Sequence, residues 1–172
     1  MGSDALAVDV SDEPGLLERL YRLHVPRNVR IGYLLIGDLE AARDIVHDAF
    51  LRTSGRLHTL RNPDAFGAYM TRSVINASKR HRERRARERR YVETEAARPR
   101  SHELQPDVAG REELVTALRA LPHRQRAALV LRYYADLPEA EIADVFGSPV
   151  GTVRSLISRG LKSLREQMGE QT

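Results

Sequence analysis

The chain has 172 residues, 41% of them hydrophobic and 30% charged, and a formal net charge of +4 from 28 basic and 24 acidic side chains. A chain of this size can bury roughly 70% of its unfolded surface, so a soluble globular fold is expected and intrinsic disorder is not. No apolar run approaches the roughly 20 residues that cross a membrane. The opening MGSDALAVDVSDE lacks the basic start and apolar block of an export signal. The absence of cysteine excludes disulfides, thiolate metal sites and thiol chemistry, and it fits a reducing cytoplasm.

Hydrophobic spacing is helical almost throughout, and no segment alternates for long enough to be a strand, so the fold class is all-α. The first helix is expected over residues 13–36, with Leu16, Leu17, Leu20 and Tyr21 on one side, a kink at Pro26 and a stop at Gly37. Asp38 suits the cap of a second helix, in which Leu39, Ala42, Val46, Ala49, Phe50, Thr53 and Leu57 recur at three- and four-residue steps. Its other face carries Arg43, Asp44, His47, Asp48 and Arg52. A third helix is expected to start at Asn62, Pro63 and Asp64, whose amide, ring and carboxylate suit a helix N-terminus, and to bury Phe66, Met70 and Val74.

This third helix runs into KRHRERRARERR, residues 79–90. Residues 79–100 hold 10 basic and 4 acidic side chains, whereas residues 1–78 and 101–172 each hold 9 basic and 10 acidic, so one segment carries the whole positive excess. Such a block suits a polyanion, because each arginine that meets a phosphate releases condensed counterions. A solvated helix face laced by Glu83 and Glu88 explains the same pattern without a ligand. Periodicity then fails across Pro99, Pro106 and Gly110. The chain divides into a tail (1–12), a first helical unit (13–91), a flexible linker (92–110) and a second helical unit (111–172).

The second unit has expected helices near 111–121, 123–134, 138–146 and 148–168, the last three opening close to Pro122, Pro138 and Pro149. In LPEAEIADVFGSPVGTVRSLISRGLKSL, a short helix, a turn at Gly147 and a second helix capped by Ser148 have the spacing of a helix-turn-helix. Ala143 is small where the helices approach, Gly147 permits a positive φ, and Ile142 with Val145 or Phe146 can pack on Val153 and Ile157. On the last helix Val153, Ile157, Leu161, Leu164 and Met168 form one stripe, leaving Thr152, Ser155, Ser158, Arg159 and Lys162 opposite. Arginine there can bond guanine O6 and N7, and hydroxyls can bond phosphate or base edges. An ordinary helical pair packed through its stripe is the plainer alternative.

Leu121-Pro122, Arg124-Gln125-Arg126, Leu131-Arg132-Tyr133, Glu141-Ile142-Ala143 and Gly151-Thr152-Val153 resemble the promoter-binding domain four of bacterial RNA polymerase sigma factors. Gly37-Asp38, ARDIVHDAF at 42–50 and FGAYMTR at 66–72 resemble domain two. With only a short linker between these halves, residues 13–168 resemble the compact extracytoplasmic-function (ECF) group.

The resemblance implies a sigma factor of the bacterial cytoplasm that binds core RNA polymerase, directs it to promoter DNA and promotes melting. It implies docking on the β′ clamp coiled coil through Asp44, His47 and Asp48, with the β flap as a second contact and an anti-sigma factor as a further candidate partner. A solvated face explains Asp44 and Asp48 equally well. The downstream element falls to His58, Arg61 and Asn62 in the loop 53–63, and to Arg72, Asn76, Lys79 and Arg80 on the third helix. The upstream element falls to Thr152, Arg154, Ser155, Ser158, Arg159 and Lys162. His47 departs from the usual amide. Tyr69 replaces a frequent tryptophan and is expected in the core. Ile75 and Leu156 stand where basic residues are common, which shifts the upstream reading toward Arg154, Ser155 and Arg159.

Phosphate-binding loops, the zinc-protease HExxH and the hydrolase GxSxG are absent from the sequence, and no cofactor, metal or enzymatic activity is expected. Three alternatives remain: a helix-turn-helix regulator acting apart from polymerase, a non-specific RNA-binding helical protein built around the basic block, and a His-Asp metal phosphohydrolase using His24, His47, Asp48 and Asp64.

Overall fold

The computed structural model describes residues 15–57, 65–91 and 108–169. The expected tail, most of the linker, the cap residues Asn62 to Asp64 and the site residues His58 and Arg61 lie outside them. Helix α1 (Leu16–Ile36) runs through Pro26 and ends at Gly37, whose φ of 72° lets its N–H return to Tyr33 O at 2.7 Å. Asp38 is extended, and its carboxylate accepts from Ala41 N at 3.0 Å to cap α2 (Leu39–Ser54). Helix α3 spans Phe66–Tyr91. Helix α4, Val108–Ala120, takes in Gly110, which the sequence reading assigned to the linker.

The single helix expected over 123–134 is α5 (His123–Leu129) followed by a π-helical turn, Val130–Tyr134, closed by Ala135 N on Val130 O at 3.0 Å. Helices α6 (Glu139–Phe146) and α7 (Val150–Gly169) complete the helix-turn-helix. The carbonyls of Pro122, Pro138 and Pro149 open α5, α6 and α7 by accepting from Arg126 N, Ile142 N and Val153 N at 3.0, 3.1 and 3.3 Å. Ser148, expected as the cap of α7, therefore stands one residue outside it. Among the described residues there is no strand, and no helix is long and apolar enough to cross a membrane.

Two apolar clusters hold these helices. Val25, Val46, Ala49, Phe50, Leu57, Phe66, Met70 and Val74 close the inside of α1, α2 and α3. The larger cluster joins both halves of the chain: Ile31, Leu35, Ile36, Ala42 and Ile75 pack with Leu118, Leu131, Ile142, Val153, Leu156 and Ile157. Each fully buried aliphatic side chain there contributes roughly 1.5–3 kcal/mol.

Three arginines reinforce this junction by bonding main-chain carbonyls of other elements. Arg126, fully buried, donates to Leu35 O in α1, to Arg119 O at 2.6 Å and to Leu121 O at 2.9 Å. Arg72 on α3 reaches Val145 O and Asp144 O at the end of α6, and Arg27 on α1 reaches Ala135 O. Carbonyls in a helix's last turn lack intrahelical donors and sit at the negative dipole end, so a guanidinium is a favourable partner.

Several expectations need correction. On the side of α1 that carries Leu16, Leu17, Leu20 and Tyr21, Leu17 and Tyr21 are 52% and 43% exposed, and Tyr21 meets Phe50 edge-on. Tyr69, expected in the core, is 50% exposed, because the core side of α3 is already filled by Phe66, Met70 and Val74. Leu156 is 8% exposed and belongs to the core, so it is not a substituted reading position. The stripe of α7 runs out at Met168, which is 43% exposed. Thr53, expected on the stripe of the second helix and also as the first residue of the loop 53–63, is buried inside α2 and donates to Ala49 O, so the loop starts after it.

Candidate nucleic-acid interface

The upstream face is built on the turn between α6 and α7. Gly147, at φ 57°, donates to Asp144 O at 3.2 Å while Ser148 N reaches Ala143 O at 3.0 Å, the paired bonds of a Schellman motif. Arg124 braces the turn, with its guanidinium 5.3 Å over the Phe146 ring and a 3.3 Å bond to the Ser148 hydroxyl. With Val153, Leu156, Ile157 and Gly160 buried, α7 turns Thr152, Arg154, Ser155, Ser158, Arg159 and Lys162 to solvent. Arg154 is held by Glu139 at 2.6 Å and Lys162 lies 3.9 Å from Glu166. Arg159 Nε donates back to Ser155 O at 3.2 Å, which aims its guanidinium along the exposed face.

On α3, Tyr69, Arg72, Asn76, Lys79 and Arg80 recur at helical steps and share one side. Asn76, Lys79 and Arg80 are exposed, and Lys79 lies 3.7 Å from Glu83. Arg72 is the exception, because its guanidinium is engaged by the end of α6. Ile75 is buried at the junction of the two halves.

On α2, Asp44, His47 and Asp48 are exposed opposite the buried stripe. Asp44 and Asp48 border a groove of about 470 Å³ whose far wall carries Arg80, Arg84 and Arg87 of α3. Sequence reasoning missed this neighbour, since nothing local in α2 announces that the basic block runs alongside it.

Histidine titration follows the same charge distribution. Burial, and then Arg126, Arg82 and Lys79, push His123 down to about 4. His24 and His81 are lowered as well, chiefly by burial and then by neighbouring arginines. His24 lies with its ring centroid 5.4 Å from that of Phe66, while His47 stands exposed on the outer side of α2. Among the described residues no group of three or more His, Cys, Asp or Glu side chains is placed to hold a metal; Asp64 lies outside them.

These elements define an all-helical protein with a helix-turn-helix, a basic helix and an acidic helix face. Residues 20–88 match the family described as Sigma-70 region 2, and residues 111–164 match Sigma-70, region 4. The RNA polymerase sigma-E factor of Streptomyces coelicolor is 34% identical over 136 residues, 78% of this chain and 75% of that protein. The ECF RNA polymerase sigma factor SigE of Mycolicibacterium smegmatis is 30% identical over 161 residues, 90% of this chain and 62% of that protein. The sigma factor RpoE, solved in complex with the anti-sigma factor NepR from Bartonella quintana, superposes with a TM-score of 0.76 at 19% identity. That match covers 91% of this chain and 98% of the solved one, and it shows a shared fold. The chain belongs to the RNA polymerase sigma factors, in the extracytoplasmic-function group.

Proposed function

We propose that this chain is a promoter-specificity subunit: it binds core RNA polymerase, directs it to two promoter elements and promotes melting of the downstream one. The observation that carries the reading is the polar and basic face of α7, exposed on a Schellman-turned helix-turn-helix within a sigma-family chain. Arg159 and Arg154 supply base contacts upstream, with Thr152, Ser155, Ser158 and Lys162 adding hydroxyl and phosphate bonds.

Downstream, Asn76, Lys79, Arg80 and, once released from α6, Arg72 track the separated strand, together with His58, Arg61 and Asn62 of the preceding loop. Tyr69, exposed beside them, offers a ring on which an unstacked base can rest. Asp44, His47 and Asp48 meet the β′ clamp coiled coil, and the second half meets the β flap. An anti-sigma factor, of the kind bound by the Bartonella quintana relative, is a further partner.

Anisotropy of a labelled promoter fragment tests this reading. Specific binding is expected only when the chain and core polymerase are both present. Equally tight and specific binding by the chain alone would instead make it a free-standing helix-turn-helix regulator.

A further inference from the structure

Arg82, Arg85 and Arg89 follow one another along α3 at steps of three and four residues, which places them on one side of the helix. That side faces the end of α4 across a cleft of about 390 Å³, whose lining also includes Arg119, His81 and Asp38. Four arginines and a histidine thus converge on a single carboxylate. Asp38 is already committed, with Oδ1 capping α2 and Oδ2 3.8 Å from Arg85. Among the described residues, no carboxylate pairs with Arg82, Arg89 or Arg119.

Elsewhere on α3 two of the basic residues have a carboxylate on their own helix, Lys79 3.7 Å from Glu83 and Arg84 3.5 Å from Glu88. On the cleft side Arg85 alone of the four arginines has a carboxylate within 4 Å among the described residues, and the repulsion is felt inward. Burial and Arg119 lower the Arg82 pKa, while burial, Arg82 and Arg119 bring Arg126 down to about 9. Arg119 is also seated by the backbone. A Cβ on Gly37 would come within 2.6 Å of its Cδ and 2.9 Å of its Nε, so the bare corner between α1 and α2 leaves room for its stem.

Four guanidiniums lining one cleft with a single, already committed carboxylate among them suit a compact ligand with several phosphoryl oxygens, each able to accept paired N–H bonds. We propose that this cleft binds a di- or triphosphate group, carried by inorganic polyphosphate or by a nucleotide. Because Arg82 and Arg89 come from the first half of the chain and Arg119 from the second, the bound group ties the two halves together. Occupancy therefore favours the packed arrangement over any in which α3 and α4 separate.

Calorimetric titration of the full chain, free of magnesium and at constant ionic strength, tests the site with tripolyphosphate, pyrophosphate, ATP and sulfate. One equivalent of tripolyphosphate should bind at least tenfold tighter than sulfate. Arg119→Ala and Arg89→Ala should each weaken it roughly tenfold, the loss expected for a charge-assisted bond. Arg89 is an exposed helix position, so its variant reports on binding even if Arg119→Ala disturbs the fold. Arg165→Ala, on the exposed side of α7, should change nothing. ATP binding tighter than tripolyphosphate would identify a nucleotide as the carrier, and equal affinities would identify the phosphate chain alone. Non-saturable binding, an equal loss in Arg165→Ala, or sensitivity of duplex DNA but not of tripolyphosphate to the two cleft variants would overturn the proposal.

Discussion

Arg72 on α3 donates from Nε to the carbonyl oxygen of Val145, in the last turn of α6, at 2.8 Å. The Schellman bonds of Gly147 and Ser148 run to Asp144 O and Ala143 O, and the guanidinium takes Val145 O together with a second bond to Asp144 O. The residue assigned to the downstream promoter element is thus a clasp between the two halves, and it serves DNA only after the clasp opens. Arg72→Ala should speed amide exchange at the end of α6 and in the turn after it, by an amount corresponding to roughly 1–2 kcal/mol for a charge-assisted bond in a half-exposed setting. Unchanged exchange there would show that the bond contributes nothing to holding the halves together.

The acidic face of α2 gives a second test. Asp44 and Asp48 lie one turn apart and share a groove with Arg80, Arg84 and Arg87. Asp48→Lys should weaken core binding by a few kcal/mol if the carboxylate meets a cationic surface on polymerase. Undiminished co-purification with core enzyme would remove Asp48 from the docking face.

Much of the fold was legible because its signals are local. Asp38 caps α2 and Gly37 and Gly147 take positive φ where the sequence placed a cap and two stops, since these depend on residues a few positions apart. The errors share a different cause. Leu156 sits off the stripe read at 100° per residue, yet α7 packs against both α5 and α6, and two neighbours widen the buried arc. Nothing local announces the burial of Arg126, on which carbonyls from the end of α1 and from the end of α4 and the residue after it converge. Tyr69 was misjudged in the same way, and the bonds of Arg72 to the end of α6 were not foreseen, because the surroundings of both are set by packing between segments far apart in the chain. Of the candidate site, the exposed faces of α2 and α7 were readable from helical spacing, whereas the cleft between α3 and α4 was not.

Affinity and specificity for DNA should separate between two groups of arginines. Arg159→Ala should cost roughly 1–3 kcal/mol on the cognate upstream element and much less on a scrambled one. Arg84→Ala or Arg87→Ala should weaken holoenzyme binding to all sequences alike and reduce the salt slope by about 1 per lost phosphate contact. Salt titrations of each variant on both promoters make the comparison. Equal losses on the two promoters for Arg159→Ala would show that α7 grips phosphates, and base reading would move to Arg154 and Ser155.

Acid should destabilise the protein through His123. Its pKa falls from 6.5 in the unfolded chain to about 4 in the fold, so between these values the unfolded state binds more protons. This contribution is complete above pH 6.5 and is lost as pH falls toward 4. It amounts to up to about 3 kcal/mol, and the lowered His24 and His81 act in the same sense. Urea denaturation from pH 7 to 4.5 should show the loss, and His123→Gln should flatten it. An equally steep profile in His123→Gln would place the sensitivity elsewhere.

Whether this chain confers promoter choice on polymerase is read out by run-off transcription with purified core enzyme and a pool of promoters. Discrete transcripts are expected from a subset of templates only when the chain is added, and they should be lost on that subset with Arg159→Ala. Identical transcription by core enzyme with and without the chain, across a pool that includes promoters recognised by ECF sigma factors, would show that the chain confers no such choice.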